Sequence, residues 1–346
     1  MDLQVGLLGY GTGGAVFHAP LIASTPGLRL DSVVTRNPER RAAVHTDHPD
    51  ATVLDDADQL WDRVDLVVVA TPDATHVPLA TRAVDAGVPV VVDKPLALTA
   101  ADGAVLVEHA RRREVLLTSF QNRRWDGDFR TVRHLVDEGA LGTVYRFESR
   151  FERWRPTPKP GWRESGTAQE SGGILADLGS HLVDQAVQLF GPVSTVYGEV
   201  DVRRGGAALD DDAFVALTHG NGTRSHLWMS AVAGQLGPRF RVLGGRSAYT
   251  KYGLDPQEDA LRAGRRPGTG DWGTEPPERW GLLGAGDDVH PVETLPGAYQ
   301  EFYAGVRDAL RGEAPPPVDP HDSVAVLRIL EAARESARAG AAVDLS

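Results

Sequence analysis

Residues 3–14 read LQVGLLGYGTGG, a short apolar run that passes directly into a glycine-rich loop. The loop has the spacing Gly9-x-Gly11-x-x-Gly14 between a predicted strand and a predicted helix. In this context one glycine allows the tight turn, one lets the backbone approach a pyrophosphate, and one packs the helix on the strand. The helix N-terminus then offers N–H groups and the positive end of its dipole to phosphates. The alternative is a glycine-rich turn in a flavodoxin-like domain, and the strands that follow favour dinucleotide binding.

The apolar runs after this loop lack polar alternation, and helical stretches separate them. They lie at Leu28–Val34, Leu66–Ala70, Val88–Val92 and Leu116–Phe120. One helix is predicted to begin at Asn37-Pro38, and another to end at Gly87. Such runs are typical of a parallel sheet covered on both faces. We therefore predict an α/β protein in which residues 1–120 form an NAD(P)-binding Rossmann domain, a doubly wound parallel sheet. Its ligands should bind beyond the carboxyl ends of the strands.

Residues 121–346 differ in character, because turn signals rather than helices separate the strand-like segments. Asn221-Gly222, for example, is a favourable hairpin turn. We predict a C-terminal α+β domain with a large open, mostly antiparallel sheet, which binds the substrate. Glycine and proline are frequent over 264–297, which predicts a long irregular surface segment. The alanine-rich residues 322–339 predict a terminal helix that can pack back on the first domain.

Composition and charge exclude several classes of protein. The chain has 346 residues and no cysteine, so disulfides, thiolate metal sites and a cysteine nucleophile are ruled out. Its formal net charge of −12 disfavours nucleic acids and anionic membrane surfaces as partners. No apolar run reaches about 18 residues, and no basic segment precedes an apolar one at the start of the chain. We therefore expect a cytoplasmic protein that acts on a small molecule.

The end of the second predicted strand bears on the choice of cofactor. An acidic residue there favours NAD by binding the ribose 2′-hydroxyl, whereas arginine favours the 2′-phosphate of NADP. Here the strand ends in Thr35-Arg36, and Asp31 lies too early. The Thr35 hydroxyl and the Arg36 guanidinium can both donate to a phosphate, and Arg40 and Arg41 follow one helical turn later. We predict NADP as the cofactor, with NAD as the alternative. The other interpretation of the arginines is a solvated helix face.

Lys94 follows an apolar strand of the predicted sheet, so its amine should project from the carboxyl end of that strand. A cation in this place can lie beside a nicotinamide and polarise a substrate oxygen. Only three of the 36 basic residues are lysines, at positions 94, 159 and 251. A chain that otherwise uses arginine is expected to place lysine where a compact ammonium group is needed. The alternative is an ordinary surface lysine.

A polar stripe lies on a predicted helix of the second domain. Four polar residues are spaced by four, three and four positions on one face of this otherwise apolar helix: Asp177, His181, Asp184 and Gln188. Burial of such a stripe is costly unless it faces a pocket or is hydrogen-bonded internally. Asp177 can fix the tautomer of His181 and raise its basicity. A satisfied core His–Asp pair and a metal site are the alternatives. We predict no metal, because no second histidine or acidic cluster lies nearby in sequence.

Tryptophans concentrate in the second part of the chain, where six of the seven lie after residue 120. Indole faces can stack on sugar rings, while arginine and carboxylate groups bind hydroxyls. The candidate substrate contacts are Arg123, Trp125, Trp154, Trp162 and Asp184. Packing of the tryptophans beneath the antiparallel sheet is the alternative.

Four segments carry a family resemblance: Gly9-Tyr10-Gly11, Phe17-His18-Ala19-Pro20, Ala70-Thr71-Pro72-Asp73-Ala74-Thr75-His76 and Gly172–Gln185. With these segments the chain resembles the Gfo/Idh/MocA oxidoreductases along essentially its whole length. The family motif Glu-Lys-Pro appears as Asp93-Lys94-Pro95, which keeps the acid. Within the family, residues 121–126 and 177–181 are similar to the NADP-using branch that includes scyllo-inositol dehydrogenases.

The resemblance implies hydride transfer between a nicotinamide and a carbon that bears a secondary alcohol or carbonyl, in a sugar or a cyclic polyol such as an inositol. It implies Lys94, Asp177 and His181 as catalytic residues, and a homo-oligomer (dimer or tetramer) assembled through the C-terminal sheet. The cofactor contacts that it implies are Gly9, Tyr10, Gly11, Thr12, Gly13, Gly14, Thr35, Arg36, Thr71, Pro72, His76, Asp93, Lys94, Asn122 and Arg163.

Two other functions are compatible with this fold. An NAD-dependent glycosidase would oxidise its substrate transiently to allow elimination, and its retained cofactor would show no net reduction. A non-catalytic protein that senses dinucleotides would have degenerate catalytic positions. Because Lys94, Asp177 and His181 are all present, a dehydrogenase is the favoured prediction.

Overall fold

The computed structural model describes residues 2–158 and 172–346. Its strands are β1 (Leu3–Leu8), β2 (Leu28–Val34), β3 (Thr52–Leu54), β4 (Leu66–Val69), β5 (Val90–Asp93), β6 (Leu117–Phe120), β7 (Val144–Glu152), β8 (Val193–Asp201), β9 (Asp212–His219), β10 (Arg224–Ser230), β11 (Phe240–Gly244), β12 (Ala248–Lys251), β13 (Gly281–Ala285), β14 (Asp288–Val292) and β15 (Val343–Asp344). Its α-helices are α1 (Ala19–Ala23), α2 (Pro38–Asp47), α3 (His76–Asp85), α4 (Ala100–Arg112), α5 (Gly127–Asp137), α6 (Ser180–Phe190), α7 (Gln257–Arg262), α8 (Gln300–Leu310) and α9 (Pro320–Ala339). Within these ranges, none of the helices combines the length and apolar composition that a membrane crossing needs.

The chain divides into two compact units. The first comprises Met1–Trp125, Pro256–Gly273 and Ala298–Val324. The second comprises Asp126–Asp255, Thr274–Gly297 and Ala325–Ser346.

The first unit contains a six-stranded parallel sheet in the order β3-β2-β1-β4-β5-β6. β4 is buried throughout and β5 over its first three residues, as expected for a sheet covered on both faces. The strand order reverses beside β1, and ligands of such sheets bind at this switch point. The predicted doubly wound Rossmann fold is therefore confirmed. The edge strand β3 is not predicted from the sequence, because only Leu54 of its three residues is buried.

Local signals place the ends of several elements. The Asn37 side chain accepts the backbone N–H of Arg40 at 2.9 Å and so caps α2. Gly87 follows α3 with φ +76°, a left-handed conformation that glycine adopts without strain. Gly222, with φ +87°, turns the chain between β9 and β10. These three predictions are confirmed.

The second unit contains a nine-stranded sheet in the order β14-β13-β12-β11-β7-β10-β9-β8-β15. Every neighbouring pair is antiparallel except β7 and β10. Apolar side chains of α5, α6 and α9 share one buried core with those of the sheet. This arrangement confirms the predicted open, mostly antiparallel sheet.

The segment over 264–297 is more regular than the sequence predicts. We predicted an irregular excursion, but β13 and β14 form a hairpin that extends the second sheet beyond β12. Most side chains of the hairpin are exposed, so it lacks the apolar alternation that identifies a strand in a sequence.

The division into units also differs from the boundary predicted at residue 121. Two segments after this boundary, Pro256–Gly273 and Ala298–Val324, belong to the first unit. Their residues Leu261, Tyr299 and Phe302 are buried with its apolar residues. The sequence predicts that the terminal helix can pack back on the first domain, and the start of α9, up to Val324, belongs to the first unit. From Ala325 onward, however, α9 belongs to the second unit and contributes Ile329 to its core.

Candidate active site

The glycine-rich loop after β1 is closed by the protein on one side and open on the other. A Cβ atom on Gly9 would lie 2.6 Å from the carbonyl oxygen of Ala70, and one on Gly14 would lie 2.2 Å from that of Gly9. The fold itself therefore requires both glycines. A Cβ atom on Gly11 would meet no atom within 4 Å in the described part of the chain. The backbone at Gly11 is thus accessible to a ligand, as a dinucleotide pyrophosphate requires.

The chain leaves this loop as a π-helical turn, Gly13–His18, which continues into α1. π-Helical turns are rare and occur frequently at functional sites. The first turn contains no acidic side chain, and Thr12 at its start is exposed. The N–H groups at this end and the positive end of the helix dipole suit a phosphate anion. The residues present therefore fit a bound dinucleotide.

Gly11 and Gly14 offer a matched pair of variants that separates binding from folding. We expect Gly11→Ala to leave the free energy of unfolding unchanged. Its methyl group would hold the pyrophosphate away from the backbone and so weaken cofactor binding about tenfold or more, since one lost hydrogen bond to a charged group costs about 1.5–3 kcal/mol. We expect Gly14→Ala to destabilise the protein by about 1–3 kcal/mol through overpacking. Denaturant unfolding and cofactor titration measure the two effects. Normal cofactor affinity in Gly11→Ala would contradict the assignment of this loop.

Thr35 and Arg36 follow the carboxyl end of β2, where the sequence predicts recognition of the adenosine ribose. The Arg36 side chain is 76 % exposed and donates to the carbonyl oxygen of Asp55 at 2.9 Å and to the Asp56 carboxylate at 3.0 Å. Arg41 donates to the carbonyl oxygen of Thr35 at 3.2 Å and pairs with the Asp55 carboxylate. Exposed ion pairs of this kind contribute about 0–1 kcal/mol, so a phosphate can replace the carboxylates.

Tyr10 and Asn122 are, like Thr35 and His76, predicted cofactor contacts whose side chains are buried. Tyr10 is 3 % exposed, and its hydroxyl donates to Asp47 at 3.2 Å. Burial and the Asp47 carboxylate raise the pKa of this hydroxyl. Asn122 is 6 % exposed in the short 3₁₀ turn that follows β6. Tyr10 can therefore contribute to a cofactor site through its backbone only.

His76 connects the loops that follow β4 and β5. It is 1 % exposed, with Nε2 2.9 Å from the carbonyl oxygen of Thr71 and Nδ1 2.7 Å from that of Pro95. The Thr75 hydroxyl donates to the carbonyl oxygen of Pro72 and can accept a hydrogen bond from the Thr71 hydroxyl. These bonds hold two loops next to each other at the carboxyl ends of adjacent strands.

Asp93 ends β5, and Lys94 begins the second of these loops. Asp93 accepts the backbone N–H of Lys94 at 2.8 Å, and the Lys94–Pro95 peptide bond is cis. Burial acts to raise the pKa of Asp93, but the His18 imidazole and the charges of His76 and Lys94 outweigh it, so this pKa lies below its usual range. Lys94 is half-buried at the carboxyl end of the sheet, where the sequence predicts it.

In the second unit, the helix that carries His181 begins with a π-helical turn over 175–179 and continues as α6. Gly173 precedes this turn with φ +96°, and a Cβ atom there would lie 2.1 Å from the Asp210 carboxylate. That carboxylate accepts the backbone N–H of Leu175 at 2.8 Å and is held by an arginine of α9 at 3.0 Å. A negative charge at a helix N-terminus is stabilising, so Asp210 fixes the start of the helix.

The π-helical turn changes the arrangement of the predicted polar stripe. Asp177 lies in this turn and His181 lies in α6, so they are not related by regular α-helical geometry. His181 is 6 % exposed and Asp184 is 2 % exposed, whereas Gln188 is half-buried. Asp177 is half-buried too, so two of the four residues of the stripe are buried and two are partly exposed.

Arg239 is 2 % exposed and supports α6 one turn after His181. It donates to Gln185 of α6 at 2.8 Å, and its Nε lies 3.6 Å from the buried Asp128 carboxylate. Cζ of the guanidinium also lies 4.4 Å from the centroid of the Phe151 ring. The centroids of the Phe151 and His181 rings are 6.5 Å apart. These supporting residues are not predictable from the sequence, because no local pattern marks a buried arginine.

Two candidate substrate residues have contacts that indicate a packing role. Arg123 is 8 % exposed and donates to the Tyr299 hydroxyl at 3.1 Å and to the Glu258 carboxylate. The Trp125 ring packs edge-on against Phe302, with centroids 5.6 Å apart. Both side chains are therefore engaged within the first unit.

Of the remaining candidates, Trp154 is 60 % exposed. Trp162 and Arg163 lie outside the described residues. Over 2–158 and 172–346, no group of three or more histidine, cysteine, aspartate or glutamate side chains is arranged to hold a metal ion.

Comparison with known proteins assigns both parts of the chain to one family. Residues 3–121 match the oxidoreductase family (GFO_IDH_MocA), NAD-binding Rossmann fold, and residues 133–345 match its C-terminal alpha/beta domain. The chain is 40 % identical to the uncharacterized oxidoreductase YdgJ of Escherichia coli (strain K12), over 100 % of this chain and 99 % of YdgJ. It is 36 % identical to the scyllo-inositol 2-dehydrogenase (NADP(+)) IolW of Bacillus subtilis (strain 168), over 97 % of this chain and 94 % of IolW.

A solved structure agrees with this result. The structure of YPO2259 from Yersinia pestis has a TM-score of 0.93 and 41 % identity, covering 100 % of this chain and 97 % of that one. The parallel Rossmann sheet and the second sheet are thus shared with proteins of the same family. The chain belongs to the Gfo/Idh/MocA family of oxidoreductases and is an NAD(P)-dependent dehydrogenase.

Proposed function

We propose that this chain transfers a hydride between NADP(H) and a secondary alcohol or carbonyl carbon of a sugar or cyclic polyol such as an inositol. The double anchoring of the Lys94 loop carries the proposal: His76 holds Pro95, and Asp93 holds the backbone N–H of Lys94. Such anchoring suits an amine that must stay in place beside a cofactor. The name of IolW, a scyllo-inositol 2-dehydrogenase (NADP(+)), supports the substrate class and the cofactor.

The bound nicotinamide supplies the hydride acceptor or donor in this chemistry. In the direction of alcohol oxidation, an imidazole nitrogen of His181 removes the hydroxyl proton. Asp177 orients the imidazole and increases its basicity. The Lys94 ammonium stabilises the negative charge that develops on the substrate oxygen. In the reductive direction, His181 returns the proton and Lys94 polarises the carbonyl.

The proposed cofactor contacts follow the carboxyl ends of the parallel strands. The loop over 9–14 binds the pyrophosphate, and Thr35 and Arg36 bind the 2′-phosphate. The loops over 71–76 and 93–95 hold the nicotinamide end. Contacts from Asn122, Trp162, Arg163, Trp154 and Asp184 remain predictions from the sequence.

Arg36→Ala tests the cofactor preference. We expect it to raise the Kd for NADPH about tenfold to a hundredfold, because a hydrogen bond to a charged group is worth about 1.5–3 kcal/mol, and to change the Kd for NADH little. Fluorescence titration with the two reduced cofactors measures both constants. Arg111→Ala is the matched control, since Arg111 is another exposed arginine paired with a carboxylate, that of Glu108. Equal weakening of NADPH and NADH binding by Arg36→Ala would contradict the preference for NADP.

The second sheet offers a surface for the proposed homo-oligomer. Phe214, Trp228 and Arg150 lie opposite one another on the adjacent strands β9, β10 and β7. The centroids of the Phe214 and Trp228 rings are 5.1 Å apart, and Cζ of Arg150 lies 3.9 Å from the centroid of the Trp228 ring. All three side chains are partly exposed, and aromatic and arginine side chains are enriched at interfaces.

A substrate screen tests the proposed function directly. Inositols, aldoses and keto-sugars are incubated with NADP(H) and, separately, with NAD(H), and the near-ultraviolet absorbance of the reduced nicotinamide is followed. We expect turnover with at least one polyol or sugar, and faster turnover with NADP(H). No turnover across the panel would contradict the proposal. Cleavage of a glycoside with retained cofactor and no net reduction would instead identify an NAD-dependent glycosidase.

A further inference from the structure

The first unit contains a buried series of titratable side chains that the proposed mechanism does not use. His18 and Tyr303 are both 0 % exposed. Nδ1 of His18 lies 2.6 Å from the Tyr303 hydroxyl oxygen, and Nε2 lies 3.6 Å from Oδ2 of Asp93. The series therefore leads from α8 through the first π-helical turn to the residue that precedes Lys94.

The geometry indicates where the His18 proton lies. A tyrosine hydroxyl can donate to Nδ1, and a neutral imidazole then carries its hydrogen on Nε2. Within the described ranges, Nε2 has no hydrogen-bond partner, and the polar group facing it is the Asp93 carboxylate, slightly beyond hydrogen-bond distance. The opposite tautomer would turn a lone pair toward that negative charge. The Tyr303 hydroxyl therefore favours the tautomer whose N–H points at Asp93.

Asp93 links this arrangement to Lys94. One carboxylate oxygen accepts the Lys94 N–H at 2.8 Å, while the other faces His18. A Cβ atom on Gly13 would lie 2.7 Å from this second oxygen, so glycine at position 13 leaves room for the carboxylate beside the cofactor loop. The Phe120 ring packs against the His18 ring with centroids 4.4 Å apart and restricts its orientation. The carboxylate thus occupies a defined place between the glycine loop and Lys94.

We propose that His18 and Tyr303 are positioning residues for Lys94. Tyr303 fixes the Nε2–H tautomer of His18, and His18 holds the Asp93 carboxylate in the orientation from which it anchors the Lys94 backbone. The role of Lys94 rests on the proposed function, whereas the arrangement of His18, Tyr303 and Asp93 is a property of the protein without ligand.

The polar groups around Asp93 agree with this role. Burial acts to raise the pKa of Asp93, but His18 of the π-helical turn, His76 of α3 and the adjacent Lys94 lower it further than burial raises it. Burial and the Asp93 charge hold the pKa of the Tyr303 hydroxyl well above its usual range, so Tyr303 remains a proton donor. Loss of His18 should therefore raise the pKa of Asp93. The carboxylate would then be protonated at a higher pH, and the acidic limb of the pH–activity profile would move to higher pH.

Nuclear magnetic resonance tests the tautomer in the protein without cofactor. In protein with isotope-labelled histidine, proton–nitrogen correlations distinguish the Nε2–H, Nδ1–H and doubly protonated rings. The chain has 11 histidines, and the signal lost in His18→Gln identifies His18. We expect the Nε2–H form in the wild type at neutral pH and a mixture of tautomers in Tyr303→Phe. An Nδ1–H or doubly protonated ring in the wild type would overturn the proposal.

Kinetics of the complete enzyme test the effect on Lys94. We expect Tyr303→Phe and His18→Leu to lower kcat about tenfold to a hundredfold, with little change in the Kd for NADPH. The acidic limb of their pH–activity profiles should move to higher pH, because the Asp93 carboxylate loses a well-oriented N–H that favours its charged form. His18→Gln keeps a donor at this position and should restore most of the activity. Thermal unfolding checks that each variant is folded, and Tyr303→Phe keeps the buried ring.

Tyr249→Phe is the matched control, because it removes a buried tyrosine hydroxyl from the core of the second unit. It should change neither kcat nor the acidic limb. If Tyr303→Phe alters the His18 tautomer but leaves kcat and the acidic limb unchanged, the link to Lys94 is refuted. If the wild type shows no dehydrogenase turnover, the proposed function fails, and the tautomer measurement still decides the arrangement of His18 and Tyr303.

Discussion

Lys94→Met is expected to lower kcat about 10²–10³-fold, the usual effect of removing one group that stabilises an oxyanion in the transition state. Methionine keeps an apolar stem and removes the charge. The bonds that hold the loop involve the backbone of Lys94 and of Pro95, so they should survive the substitution. The Kd for NADPH should therefore change little. Steady-state kinetics and fluorescence titration measure the two quantities on the same preparation.

Lys94→Arg is the informative companion variant. It keeps the positive charge but replaces a compact ammonium with a larger planar group, so activity should stay well below that of the wild type. If Lys94→Met weakens NADPH binding as much as it lowers turnover, Lys94 acts through cofactor binding alone. That result would contradict its proposed action on the substrate oxygen.

His181→Asn is expected to lower kcat about 10²–10⁴-fold, the range for loss of a general acid–base group. Asparagine keeps hydrogen-bonding capacity at this buried position but cannot exchange a proton at neutral pH. Rates and denaturant unfolding should be measured together. The loss of turnover should greatly exceed any loss of folded protein.

His219→Asn is the matched control for this variant. His219 is a buried histidine of the same unit, 1 % exposed, with ring nitrogens 2.9 Å from the Gly191 carbonyl oxygen and 2.8 Å from the Ser225 hydroxyl. Its replacement should lower stability and spare turnover. Should His181→Asn behave in the same way, His181 would be a core histidine and the proposed mechanism would lose its base.

Local sequence signals were sufficient for much of the first unit. Gly9, Gly11 and Gly14 mark a loop whose steric requirements follow from a few neighbouring residues. Asn37 and Gly87 likewise act within one helical turn of their positions. The parallel sheet was predictable because its central strands are continuous apolar runs that polar alternation does not interrupt.

Features that depend on distant contacts were not predictable. Tyr299 and Phe302 are buried with residues of the first unit, although a large part of the second unit separates them in sequence. The hairpin of β13 and β14 joins the second sheet through backbone pairing while its side chains remain largely exposed. Neither kind of contact leaves a periodic pattern in the sequence.

The candidate site shows the same contrast. Lys94 is predicted from its place after a strand, and His181 from its place on a polar stripe. The buried contacts near them have no such signal: His18 contacts Tyr303 across 285 positions of the chain, and Arg239 contacts Gln185 across 54. Single residues of this kind carry no local signal, because their role follows from the tertiary structure alone.

The central claim is that Lys94 and His181 act together on one substrate oxygen. A double-variant cycle of Lys94→Met and His181→Asn, followed by single-turnover hydride transfer, tests this claim most directly. Groups that act as a unit show strongly non-additive losses. The account predicts that the double variant is little slower than the slower single variant. A loss equal to the product of the two single losses would show independent action and would contradict the account.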